Sequence, residues 1–196
     1  MVSTVRSLGL GGISGYEVSV ECYLSSGLPA FDTVGLPDTA VKEARERVRA
    51  AIKTSGMQFP VSRITVNLAP ADTRKAGTVY DLPVMLGILA ASGDLKPLPE
   101  ASAFFGELSL TGELRHVPGA LPMALSAGRL GIKELYVPAD NAAEAAYASD
   151  VNVYPVTHVN ALLEHLRGKT RITPVLAREP VVQYDPALDF SEVKGQ

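Results

Sequence analysis

Four cations stand out as residues able to do chemistry together. Lys42, Arg45, Arg49 and Lys53 recur at intervals of three or four residues, which on a helix sets them in one stripe beside an apolar face. A row of this kind neutralises phosphates or meets an acidic neighbour. The competing reading is a solvated face shared with Glu43, Glu46 and Arg47. Arg74 and Lys75, in the polar loop APADTRKAG, are expected to join the stripe as a DNA or subunit contact.

Other chemistry finds less support. Glycines at 9, 11, 12 and 15 miss the G-x-G-x-x-G spacing, because position 14 is Ser14, so they read as a turn. RGKT at 167–170 resembles the end of a phosphate-binding loop, but Leu163 stands where the upstream glycine is needed, and a helix precedes it instead of a strand. His116, His158 and His165 are scattered. The last two lie seven residues apart, close enough to share a helical face, but without a third ligand they read as solvated. Cys22 falls on the apolar side of a strand and reads as an inert buried thiol. No catalytic residue, metal ligand or cofactor-binding residue is expected.

These residues need elements to hold them. YEVSVECYL at 16–24 alternates with a period of two, as a half-buried strand does. Residues 4–10, 30–34 and 63–68 read as further strands. A helix follows Asp38 or Thr39 as N-cap, with Val41, Ala44, Val48, Ala51 and Ile52 inside and Gly56 as its stop. A mostly apolar helix spans 81–92, and residues 103–110 and 114–117 flank T-G-E as a hairpin. Helix 120–129, strand 134–137, helix 141–147, strand 151–156 and helix 160–167 alternate as parallel, right-handed β-α-β units do. The expected class is α/β, with a compact domain over 1–168 and a linker arm over 169–196.

The 196 residues are 46% hydrophobic and 20% charged, which suits one domain with a real core and excludes wholesale disorder. One cysteine excludes an internal disulfide framework. The longest uncharged apolar stretch, 82–93, is too short to cross a bilayer, and Met1-Val2-Ser3 opens no signal peptide, so a cytoplasmic setting without membrane contact is expected. Net charge is −3, yet residues 1–75 hold nine basic and seven acidic side chains, while 76–168 hold five and ten. Any nucleic-acid surface must therefore be local and early in the chain.

Four stretches, GLPDTAVKEARERVRAAI, FPVSRITVNLAPAD, YDLPVMLGILAASG and GELSLTGELR, together resemble the ComM/YifB family, the magnesium-chelatase-like AAA+ ATPases of bacteria. The resemblance runs from about Val2 to the C-terminus. It implies a Lon-protease-like domain of the superfamily that includes a ribosomal protein domain, with a left-handed β-α-β unit. It also implies an AAA+ ATPase domain and a small zinc-binding region further on. DFSEVKGQ at 189–196 is similar to the segment just before a nucleotide-binding core, so ATP, Mg²⁺ and the residues that hold them are expected downstream of this chain.

The resemblance also bears on catalysis. Lon-type proteases carry their serine in a P-S-A-G segment, and the similar stretch here, KAGTVYDL, has Val79 at or near that place. Their lysine sits in G-G-L-K after the T-G-E hairpin, where PGALPM offers Leu121 or Pro122. A serine–lysine dyad needs both groups in hydrogen-bond reach. The resemblance therefore implies a non-catalytic domain in a homo-hexameric, ATP-driven DNA motor, a branch-migration helicase in natural transformation. Its partners would be its own AAA+ domain, neighbouring subunits and DNA. A protein-interaction or ring-assembly domain, a relic hydrolase and a magnesium-chelatase subunit are the alternatives.

Overall fold

The computed structural model describes residues 1–176 of the chain. Strands β1 (Val2–Gly11) and β2 (Ser14–Ser25) form an antiparallel hairpin, in register from Val2 opposite Tyr23 to Gly11 opposite Ser14. After β3 (Ala30–Val34) the chain forms α1 (Thr39–Thr54) and returns as β4 (Arg63–Ala69). β4 runs parallel to β3 and antiparallel to β2, so the sheet order is β1-β2-β4-β3 and β3 is outermost.

The period-two patterns decide which face of this sheet turns inward. Val18, Val20 and Cys22 on β2 and Ile64, Val66 and Leu68 on β4 are buried, and the register sets Val20 opposite Leu68 and Cys22 opposite Val66. Helix α2 (Asp81–Ser92) covers β1 and β2. Ten of its twelve residues are buried, so it has no polar side to turn to water. It packs very close to the sheet: a Cβ built on Gly87 would stand 2.5 Å from Cys22 Sγ.

Residues 103–110, expected as one strand, are two. β5 (Ser102–Phe104) and β6 (Glu107–Leu108) are separated by Gly106 at φ +154°, a backbone that residues with a Cβ avoid. β6 pairs with β7 (Leu114–Arg115), while β5 joins a parallel sheet with β8 (Glu134–Pro138) and β9 (Asn152–Val156), in the order β5-β8-β9. Helices α3 (Ala120–Arg129), α4 (Ala139–Ala145) and α5 (Val159–Leu166) complete the α/β alternation. The parallel register aligns Phe104, Tyr136 and Tyr154, whose rings stack at 4.8 and 4.7 Å.

The compact unit does not end at residue 168. The Ile172 N–H donates to His165 Nδ1 at 2.9 Å, and Val175 bridges antiparallel to Val153 on β9. The first residues of the expected linker arm thus pack back on the second sheet. The remainder of that arm, including DFSEVKGQ, lies outside the described residues.

One ion pair ties the helices together. Asp81, in the first turn of α2, is fully buried. It accepts from Arg47 Nε at 2.5 Å, from Arg47 Nη2 at 3.0 Å and from the Leu108 amide at 3.2 Å. Arg47 Nη2 also donates to the Ala40 carbonyl. Burial pushes the Asp81 carboxyl above its ordinary value, while Arg47 and the Leu108 amide pull it the other way. Removing one partner of a buried pair strands the other charge, at a cost of about 3–5 kcal/mol. Arg47→Ala should lower unfolding stability by that amount in urea titration, and a loss below about 1 kcal/mol would show that the pair carries no such constraint.

Candidate functional site

The candidate site is built on α1. Asp38 caps it, accepting from the Val41 N–H at 2.8 Å, and the other carboxylate oxygen accepts from the Gly77 N–H at 3.0 Å. Val41, Ala44, Val48, Ala51 and Ile52 form its buried face, as their spacing predicts. Lys42, Arg45, Arg49 and Lys53 are exposed on another. Their spacing of three, four and four residues spans eleven residues, close to three whole helical turns, so the row stays on one side over about 17 Å.

The row looks onto a trough beside β3. A hollow of about 300 Å³ is bounded by Phe31, Arg45, Arg49, Lys53 and Phe59. A second, of about 620 Å³, is bounded by Phe31, Val34, Lys42, Arg45 and Arg63. Phe31 and Arg45 border both, so the two hollows adjoin along the helix. The Arg49 guanidinium lies 5.8 Å from the centre of the Phe59 ring. Arg63 is paired with Asp32 at 2.8 Å, and Arg45 approaches Glu46 at 3.4 Å. Among the described residues, Lys42, Arg49 and Lys53 have no acidic partner.

The two loop cations behave differently. Arg74 is exposed, but it borders neither hollow, and its carbonyl accepts from the Tyr16 hydroxyl at 3.3 Å. Lys75, expected on the same surface, is instead fully buried. Its ammonium donates to the carbonyls of Pro70 and Thr73, so the loop is folded around the charge. Its backbone bonds to Leu36 and Asp38 hold the loop to the entry of α1. Burial lowers the Lys75 pKa below the ordinary lysine value, and Asp72 opposes that shift. Lys75 is therefore a loop-closing residue that no outside phosphate can reach.

The remaining chemistry-bearing residues have structural partners. His158 caps α5 through Nδ1, and its Nε2 meets the Thr111 carbonyl at 2.9 Å. His165 accepts from Ile172, and its Nε2 meets the Tyr136 hydroxyl at 3.1 Å. The two histidines therefore use their ring nitrogens separately, and His116 is exposed on its own. Among the described residues no three His, Cys, Asp or Glu side chains gather to hold a metal. RGKT closes the C-terminus of α5, with Gly168 at φ +74° and its N–H donating to the His165 carbonyl. This is the negative end of a helix dipole, where phosphate binding needs the positive end. These residues do not fit ATP. Val79 is buried before α2, and Leu121 lies in the first turn of α3. Among the described residues no helix is long and apolar enough to cross a membrane.

Against this geometry, residues 20–141 match the family described as "Subunit ChlI of Mg-chelatase". The chain belongs to this family of Mg-chelatase-like AAA+ ATPases. It is 42% identical over 186 residues to YifB of Salmonella typhimurium, covering 94% of this chain and 36% of that protein. It is 39% identical over 200 residues to competence protein ComM of Haemophilus influenzae, covering 100% of this chain and 39% of that protein. The chain thus spans little more than a third of the length of these curated relatives. Two shorter similarities agree with the Lon-protease-like α/β fold. One is to DNA repair protein RadA of Pseudomonas aeruginosa, at 35% identity over 45% of this chain and 19% of that protein. The other is to a mitochondrial Lon protease homolog of Caenorhabditis briggsae, at 27% over 55% of this chain and 12% of that protein.

Two outcomes follow from the site's contents. The resemblance sets Val79, or a position near it, and Leu121 or Pro122 where Lon-type enzymes carry serine and lysine, so the chain should show no turnover of fluorogenic peptides or casein. Turnover abolished by replacing one internal serine would overturn this. Cys22 is buried, donates to the Val84 carbonyl at 3.8 Å, and burial pushes its thiol up to about 12. It should resist a disulfide-exchange reagent at pH 8 in the native state and react fully in denaturant. Rapid native labelling would mean that the first sheet opens locally.

Proposed function

We infer that this chain is the non-catalytic, Lon-like module of a ring-shaped, ATP-driven DNA motor. The carrying observation is the row of Lys42, Arg45, Arg49 and Lys53, aligned along α1 with three of the four lacking an acidic partner among the described residues. In this reading ATP and Mg²⁺ are held by an AAA+ domain following residues 169–196, and the working assembly is a homo-hexamer. The module supports the ring, and its cationic row meets DNA phosphates. The names of two relatives, a competence protein and a DNA repair protein, support a role in DNA processing such as branch migration.

A second reading treats the same row as a contact between subunits, with no DNA involved. It is favoured by the outer edge of β3, which has no strand partner among the described residues. Such an edge is a place where another chain can pair.

Binding to a forked DNA with single-stranded arms separates the two. Non-specific dissociation constants of about 10⁻⁴ to 10⁻⁶ M are expected, with log affinity falling by roughly 0.7–0.9 per log salt for each phosphate met. Arg45→Ala with Arg49→Ala should reduce that slope and leave stability within about 0.5 kcal/mol, because both side chains are exposed. An unchanged slope combined with lost assembly of the full-length ATPase would favour the subunit contact. If neither property moves, the row is only a solvated face.

A further inference from the structure

We propose that the trough between α1 and β3 binds single-stranded nucleic acid in preference to duplex. This rests on the DNA-facing reading of the cationic row, and it adds which form of DNA the site accepts and how.

Length sets how much of a strand the row can meet. The row covers about 17 Å, room for about four nucleotides, at the short end of single-strand site sizes. Along it, Arg45, Arg49 and Lys53 follow at intervals of four residues, about 6 Å apart on the helix. An extended sugar–phosphate backbone can meet each of them in turn.

The opposite wall suits bases better than phosphates. Phe31 and Phe59 are half-buried there, held by the core with part of each ring facing the trough. Arg49 lies against Phe59, and an aromatic ring with a guanidinium beside it is a platform on which any base can stack. The acids near the channel are engaged: Asp32 with Arg63, and Glu46 beside Arg45. The outward N–H and C=O groups of β3 are left to bond base edges without selecting a sequence. A duplex, with its bases stacked inside, could use the cations but neither the rings nor the strand edge.

The test uses the 196-residue chain with labelled oligothymidylate of about eight nucleotides, a blunt duplex of similar length and an oligoglutamate peptide, read by fluorescence anisotropy. Oligothymidylate should bind at least about tenfold tighter than the duplex. Phe59→Leu and Phe31→Leu should weaken oligothymidylate by about five- to tenfold and leave duplex binding unchanged. Arg49→Gln, at an exposed position whose contact with Phe59 is worth little to stability, should weaken oligothymidylate and move the thermal midpoint by no more than about 2 °C, which covers the case in which a Phe variant misfolds. Duplex binding as tight as the single strand overturns the trough site and leaves the DNA reading standing. Oligoglutamate binding without oligothymidylate binding overturns both and assigns the trough to an acidic peptide. Failure of every DNA to bind also overturns both.

Discussion

The orientation of α1 depends on a single buried ion pair. Arg47 reaches from α1 to Asp81 at the start of α2, and Asp81 also takes the Leu108 amide of β6. Three elements distant in sequence are thereby held at one carboxylate. The side chain of Asp81 is 1% exposed and that of Arg47 20% exposed, so the carboxylate is shut off from bulk water and the guanidinium keeps only part of its hydration. Such a pair adds less net stability than its geometry suggests, since desolvation offsets much of the attraction. What it does supply is rotation: a two-pronged guanidinium fixes how α1 turns about its axis. The apolar face could tolerate a small roll, but the fork could not. The exposed cations at 42, 45, 49 and 53 are aimed by that fit.

Much of this was legible in the residues. The five buried positions of α1, the Asp38 cap and the alternation in β2 follow from periodicity and capping chemistry, which are local. The cationic row was legible for the same reason. The fate of Lys75 was not: a lysine in a polar loop reads as exposed, and only the way the loop folds back gives its ammonium two carbonyls. Arg47 reads as part of a solvated face from spacing alone, because its partner lies thirty-four positions away. Phe31 and Phe59 carried no signal either, since their place beside the row depends on β3 pairing parallel to β4. The break at Gly106 was hidden because Phe104 and Phe105 before it and Leu108 and Leu110 after it read together as one strand.

In the Lon-like frame, the stretch similar to the one that carries the serine of Lon-type proteases packs into the core. Val79 is buried in the core, and its neighbour Tyr80 is buried with its hydroxyl 3.4 Å from that of Tyr16. Burial raises the Tyr80 hydroxyl well above its ordinary value, so it serves as a neutral hydrogen-bonding group. Nearby, Leu10 packs within 2.7 Å of where a Cβ on Gly119 would stand, just before α3. The hairpin of β1 and β2 thus closes against the starts of both helices.

An open strand margin has a colloidal consequence. β3 has no lysine, proline or bulge; against growth of one sheet onto another it has its short length and Asp32, whose charge Arg63 offsets. Two copies meeting margin to margin would also bring two cationic helices face to face, and like charges at that range repel. The row on α1 therefore acts as a fence for the strand beside it. Concentrated salt, by screening the row, weakens the fence and favours the sheet-to-sheet association that the bare margin invites.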